Sequence, residues 1–274
     1  MDQGIPVRFE HTPRHHLAAF SGEPPAPGTR VVVAGEKGPR LATVRGGPRP
    51  GKVEYDLLRV ATPEDLRAHA ELKERAEAVK WRLKAHLRRR LPGVRPAAVE
   101  YTIDGKVAFL YLRAKEKRRL GGEIRELARI AGARVELVFL GERDEVAVLG
   151  ALGPCGMETC CSTWMQEFGS STIRMARDQQ LPLSPEKISG PCGRLLCCIA
   201  FEHPVYKELL DKLPRKNARV CTRAGVCGKV AKHHPLKLEV EIKTEAGGLV
   251  TARLDELAPW EEGNEGEKGQ GQAP

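Results

Sequence analysis

Several signals are missing from this 274-residue chain, and each absence removes a class of protein. No run approaches the 18 apolar residues that a membrane span requires, so no transmembrane helix is expected. The opening MDQGIPVRFEHTPRHH has no basic leader followed by an apolar stretch, so no secretory signal is expected. A Gly-rich phosphate loop, a Ser/His/Asp order and an H-E-x-x-H motif are all lacking, which leaves catalysis without sequence support. Cys-x-x-Cys is also absent, although the chain holds eight cysteines. Eight thiols in this length are too sparse for a small disulfide scaffold. The expected setting is the cytoplasm, where clustered cysteines are more often metal ligands or redox groups than structural bridges.

What is present is a globular, basic composition. Hydrophobic residues make up 41% and charged residues 30%, which excludes a wholly disordered chain. The formal charge of +9 suits a phosphate-rich or acidic partner.

The order of local patterns predicts an α+β protein. Val7 to Phe9, Arg30 to Ala34 and Leu41 to Arg45 read as short strands between Gly and Pro clusters, suggesting a β-barrel-like N-terminal segment over residues 1–61. Thr62-Pro63-Glu64-Asp65 combines a cap, a proline at the first helical position and acids in the first turn. The long charged helix begun there, residues 62–92, should stop at Pro92-Gly93. Two strands around Asp104-Gly105, with the signature of a tight two-residue hairpin, a helix near Gly122 to Ala131 and a strand at Ala133 to Leu140 form a ββαβ unit over 93–152. Residues 153–215 read as a cysteine-rich module of short helices and loops. Further strands in 216–258 suggest a second small barrel, and 259–274 reads as a disordered tail.

Six cysteines lie in a repeat. Gly153-Pro-Cys-Gly-Met-Glu-Thr-Cys-Cys161 recurs as Gly190-Pro-Cys-Gly-Arg-Leu-Leu-Cys-Cys198, the same pattern 37 residues later. The glycine after each first cysteine permits a turn with positive φ. The spacings C-x₄-C and C-C fit the usual paired ligation of structural Zn²⁺ poorly. A [4Fe–4S] cluster takes four cysteines from irregular loops, and six can supply them. Thiol redox chemistry and buried, inert thiols are the other readings. Cys221 and Cys227 flank a predicted turn and read as core thiols, with a zinc pair as the alternative.

The repeat, together with Ser162-Thr-Trp164, Ile173-Arg-Met-Ala-Arg-Asp-Gln-Gln180, Leu183-Ser-Pro-Glu-Lys-Ile188 and Phe201-Glu-His-Pro-Val-Tyr206, resembles the RicT (YaaT) family, which carries the PSP C-terminal domain. Arg134-Val-Glu-Leu137, Gly141-Glu-Arg-Asp-Glu145 and the N-terminal Val7-Arg-Phe9 and Gly28-Thr-Arg-Val-Val-Val33 extend the likeness to roughly residues 5 to 257. The resemblance implies a non-enzymatic regulatory protein that binds a [4Fe–4S] cluster, alone or shared with partners. It also implies assembly with small helical proteins of the RicA and RicF type and support of mRNA processing by ribonuclease Y, with sporulation, competence and biofilm formation affected in spore formers. The ligand candidates it carries over are Cys155, Cys160, Cys161, Cys192, Cys197 and Cys198. A zinc-containing RNA-binding protein is the alternative.

The positive charge is concentrated. Between Lys80 and Arg119 thirteen Lys and Arg face three acids, a surplus of ten that exceeds the net charge of the whole chain. Lys80, Arg82, Lys84, Arg88, Arg89, Arg90, Lys115, Lys117, Arg118 and Arg119 are the candidate contacts to RNA or an acidic partner. A solvated, ion-paired helix face explains the same charges equally well. Tyr101, Phe109 and Tyr111 read as core rather than base-stacking platforms. His203 is expected near a helix cap, and His15-His16 and His233-His234 in exposed turns.

Overall fold

Short β-branched and small residues at Ile5, Val7, Val31, Val33, Ala42 and Val44 line the inside of an N-terminal barrel closed on itself. The computed structural model describes residues 3–12, 14–114 and 121–260. The chain divides into two units, residues 1–167 with 189–194 and residues 168–188 with 195–274.

In the first unit, strands β1 (Gln3–Arg8), β2 (His16–Ala19), β3 (Arg30–Gly35), β4 (Gly38–Val44), β5 (Arg49–Pro50) and β6 (Val53–Val60) form one sheet. The order runs β2-β6-β3-β4-β1, and β1 pairs β2 again, which closes five strands into a barrel with β5 attached to β1. Register shifts at Leu17/Ala18 and Val32/Val33 supply the bends that closure needs. The strands at β2, β5 and β6 add to the three read from the sequence. His16 opens β2 and its Nδ1 lies 2.6 Å from Glu54, while His15 is half-buried beside it, so this pair is not an exposed turn.

Helix α1 (Pro63–Arg90) starts where the cap signal placed it. The Thr62 hydroxyl accepts from the Asp65 N–H, and the Asp65 carboxylate accepts from the Thr62 N–H at 2.8 Å, so two orphan donors are satisfied. Arg59 also holds Asp65, whose carboxyl is kept well below the usual range by that guanidinium and by the Thr62 N–H. Ala76, Val79, Leu83 and Leu87 face inward at helical spacing onto β7 (Val94–Tyr101) and β8 (Val107–Ala114). Helix α2 (Ile124–Ala131) then leads to β9 (Arg134–Leu140), parallel to β8. The β7–β8 loop is wider than a two-residue turn: Thr102 pairs with Val107, and Gly105 takes φ +68°.

The helices α1 and α2 cover one face of this three-stranded sheet, and the other face is buried as well. There α3 (Glu142–Leu149) packs Val148 near Tyr111 and Leu140, and Arg40 of β4 enters between rings. The Arg40 guanidinium lies 3.7 Å from the Phe9 ring centre and 4.2 Å from that of Phe109. It donates to Glu100 Oε1 at 3.0 and 2.7 Å and to the Tyr111 hydroxyl at 2.9 Å. Tyr101, Phe109 and Tyr111 are all buried, as expected of core residues.

In the second unit, α5 (Ile173–Asp178), α6 (Pro185–Ile188) and α7 (Cys197–Asp211) gather a small core of Ala176, Ile188 and Ile199. Strands β10 (Arg219–Cys221), β11 (Cys227–His234), β12 (Glu239–Thr244) and β13 (Leu249–Arg253) form an antiparallel meander around Val220, Val230, Val240 and Ile242. The chain after β13 returns to β10 through a Thr222–Leu257 bridge, giving the segment its barrel-like curl. Cys221 and Cys227 stand directly opposite one another on β10 and β11 and form a disulfide with Cα atoms 4.0 Å apart. The reading of core thiols is corrected by this strand register, which leaves both residues half-buried at a hairpin rather than in the core. His233 and His234 end β11, bound to the Pro214 carbonyl at 2.8 Å and to Glu241 at 2.7 Å, so they too are not exposed turn residues.

Candidate metal centre and basic face

The duplicated sequence folds into a duplicated backbone. In the first loop the Gly156 N–H donates to Gly153 O at 2.9 Å across Pro154-Cys155, and the Gly153 N–H donates to Met157 O at 2.8 Å. In the second, Gly193 donates to Gly190 O and Gly190 to Arg194 O, both at 2.9 Å. Proline at the second turn position presets its φ, and the glycine that closes each turn takes φ of +78° or +75°, a region closed to most L residues. The Thr159 N–H then reaches Ala151 O, and the Leu196 N–H reaches Ile188 O, again both at 2.9 Å. Each loop ends by starting a helix, α4 (Cys160–Thr163) in the first copy and α7 in the second.

The consequence is a fixed placement for each thiol. Cys155 and Cys192 sit in a tight turn, and the pairs Cys160-Cys161 and Cys197-Cys198 are the first two residues of a helix. Cys155 is exposed, Cys161 is buried and the other four are intermediate; none of the six is in a disulfide. Thiolates at a helix start face the positive end of the backbone dipole. In the first loop Arg8 donates to Ser162 O at 2.6 Å, next to Cys161 in sequence. Six thiols on irregular loops fit, as a donor set, the soft metals and iron–sulfur clusters. Among the described residues no three Cys, His, Asp or Glu side chains converge to hold a metal ion.

His203 is not a cap residue, since α7 begins at Cys197 and carries His203 and Pro204 inside it. Its Nε2 lies 3.0 Å from Asp178 Oδ2.

The basic candidates divide around α1. At 100° per residue, Lys84 and Arg88 share the side of α1 that borders a cavity of about 430 Å³, completed by Pro92, Gly93, Val94, Arg95, Pro96 and Arg113. Lys80, half-buried, lies 3.4 Å from Glu77, and Arg90 turns to Glu123 at 3.5 Å. Arg82 and Arg89 are exposed on another side of the helix. Lys115, Lys117, Arg118 and Arg119 lie outside the described residues. Sequence reasoning missed Trp81, Arg95 and Arg8; the first was legible as the start of the stripe Trp81, Lys84, Arg88 at i, i+3 and i+7.

A barrel, a helix-covered mixed sheet and a twice-used cysteine loop define a multi-module thiol-bearing protein. The model of the PSP1 C-terminal conserved region matches residues 55–139, and that of the PSP1-like protein third domain matches 170–213. Stage 0 sporulation protein YaaT of Bacillus subtilis (strain 168) is 35% identical over 127 residues, covering 46% of each chain. Over these segments the chain is similar to the PSP1 and YaaT proteins. The alignment thus spans about half the length of the curated relative, less than the residues 5 to 257 suggested by motifs. The second cysteine loop falls inside a matched region and the first lies between the two. No solved structure matches.

Proposed function

We propose that this protein is a cytoplasmic regulatory adaptor, without catalysis of its own, that carries a [4Fe–4S] cluster on cysteines of the duplicated loop. Cys155, Cys160, Cys161, Cys192, Cys197 and Cys198 are the candidate ligands, and a bound cluster would supply a redox-sensitive crosslink between chain segments. The observation that carries the reading is the repetition itself: two segments 37 residues apart use the same hydrogen bonds and the same positive-φ glycine to place three thiols each. A loop kept for packing alone has no need of three cysteines in both copies.

The adaptor acts by assembly. Small helical partners of the RicA and RicF type dock on the cysteine-bearing segments, and the complex supports mRNA processing by ribonuclease Y. The name of the Bacillus relative records a sporulation stage, and the corresponding role here holds where the organism forms spores. The test pairs chemistry with a cellular readout: anaerobically purified wild type, Cys160→Ser and Cys197→Ser are compared for bound iron, and the matching strains for transcript ends made by the nuclease. Loss of iron together with loss of processing supports the adaptor. Iron loss with unchanged transcripts overturns the processing role, and stoichiometric zinc in place of iron overturns the cluster.

A further inference from the structure

We propose that the groove between the C-terminal half of α1 and the start of β7 is a binding site for single-stranded nucleic acid, which neither the family likeness nor the cluster requires. Three independent observations meet there. The cavity of about 430 Å³ is of ligand size and has cations on a floor of Pro92, Val94 and Pro96. Its helix side carries Lys84 and Arg88, and no carboxylate of the described residues pairs with either. On the strand side Arg95 and Arg113, ladder partners across β7 and β8, share Glu145, and Arg113 also lies 3.9 Å from Glu142, so the strand side is ion-paired and the groove's unpaired charge is that of Lys84 and Arg88. The third observation is Trp81, one turn before Lys84 on the same stripe and 65% exposed, with the Lys84 ammonium 4.7 Å from its ring centre.

The exposed indole of Trp81 presents a π face at the mouth of the groove, with the Lys84 ammonium beside it. Beside a cationic groove, such a face stacks an unpaired base while the phosphodiester backbone follows Lys84 and Arg88. Trp81 to Arg88 spans about 10 Å of helix, so the platform and the cations address successive parts of one strand. A duplex keeps its bases stacked inward and leaves Trp81 unused, and a run of Asp and Glu alone has no ring to offer it.

Anisotropy of fluorescein-labelled oligouridine and oligothymidine, about 20 nucleotides long, with the full chain tests this. The wild type should bind both, with affinity falling steeply between 50 and 200 mM salt. Lys84→Gln/Arg88→Gln should weaken binding about 10-fold or more at 50 mM and lower the log–log salt slope by about 1.4, at about 0.7 per lost phosphate contact. Trp81→Ala should weaken it at least about 5-fold. Arg82→Gln/Arg89→Gln removes the same charge elsewhere on α1 and should change affinity less than about 3-fold. Equal losses from the two charge pairs, no loss from Trp81→Ala, or tighter binding of a duplex of the same length would overturn the site. Cys160→Ser should bind as wild type does, which separates this result from the fate of the cluster.

Discussion

Arg40 is the most informative side chain for stability. Its guanidinium is 3% exposed, makes three hydrogen bonds to Glu100 and Tyr111, and is held between Phe9 and Phe109. Two opposing effects bear on Arg40→Met. The thioether keeps much of the stacking volume, yet Glu100, itself 5% exposed, is left as a buried anion without its cation. Removing one member of a buried pair costs about 3–5 kcal/mol, so the expected loss is about 4 kcal/mol. For a unit of this size that lowers the melting temperature by roughly 8–16 °C. Replacing the whole network, Arg40→Met/Glu100→Leu/Tyr111→Phe, removes the orphan and should return stability to within about 2 kcal/mol of wild type. Urea unfolding followed by far-UV circular dichroism and tryptophan fluorescence reads both values. A loss below about 1 kcal/mol in the single variant, or a triple variant as unstable as the single, would refute the reasoning.

Gly156→Ala and Gly193→Ala should each cost about 1–2 kcal/mol, since both glycines hold positive φ with nothing within 4 Å to clash, and matching unfolding midpoints would confirm that the loops are equivalent. Thr62→Ala should destabilise α1 by about 1 kcal/mol through loss of the cap, measured by thermal melting. His15 is pulled down to about 4 by burial, with Arg49, Arg8 and Arg45 adding to the effect. Its folded value lies below its unfolded value near 6.5, so the stability of the neutral form is full above pH 6.5 and is lost as pH falls toward 4. His15→Gln should flatten that fall by about 1–2 kcal/mol after solvent screening, seen in melts between pH 7.5 and 4.5.

Local chemistry explains what could be read in advance. Thr62-Pro63 and Pro92-Gly93 bracket α1 because capping and proline geometry act within a few residues, and the cysteine repeat announced a repeated backbone because Gly156 and Gly193 each decide a φ. The unread parts depend on distant partners. Strand β2 is four residues long and pairs in parallel with β6, some 36 positions away, so it is too short to signal itself by alternation, whereas β6 does alternate, Val53, Tyr55 and Leu57 against Glu54 and Asp56. Arg40 gains its partners only when Glu100 and Tyr111 arrive from another sheet, a pairing no local pattern signals. Cys221 and Cys227 read as separate thiols until the hairpin register sets them face to face. Of the basic stretch, spacing alone picked out the residues, and only the approach of β7 to α1 separates Lys84 and Arg88 from Arg82 and Arg89.

The central claim is that the duplicated loops carry an iron–sulfur cluster. The direct measurement is iron, zinc and acid-labile sulfide content, with the visible absorption spectrum, of the full chain purified without oxygen. The account predicts a brown protein with iron and sulfide in equal amounts and the broad iron–sulfide charge-transfer band, both lost in the variant with all six loop cysteines changed to serine. A colourless protein holding stoichiometric zinc, or one holding no metal while its six thiols stay reduced, would contradict it.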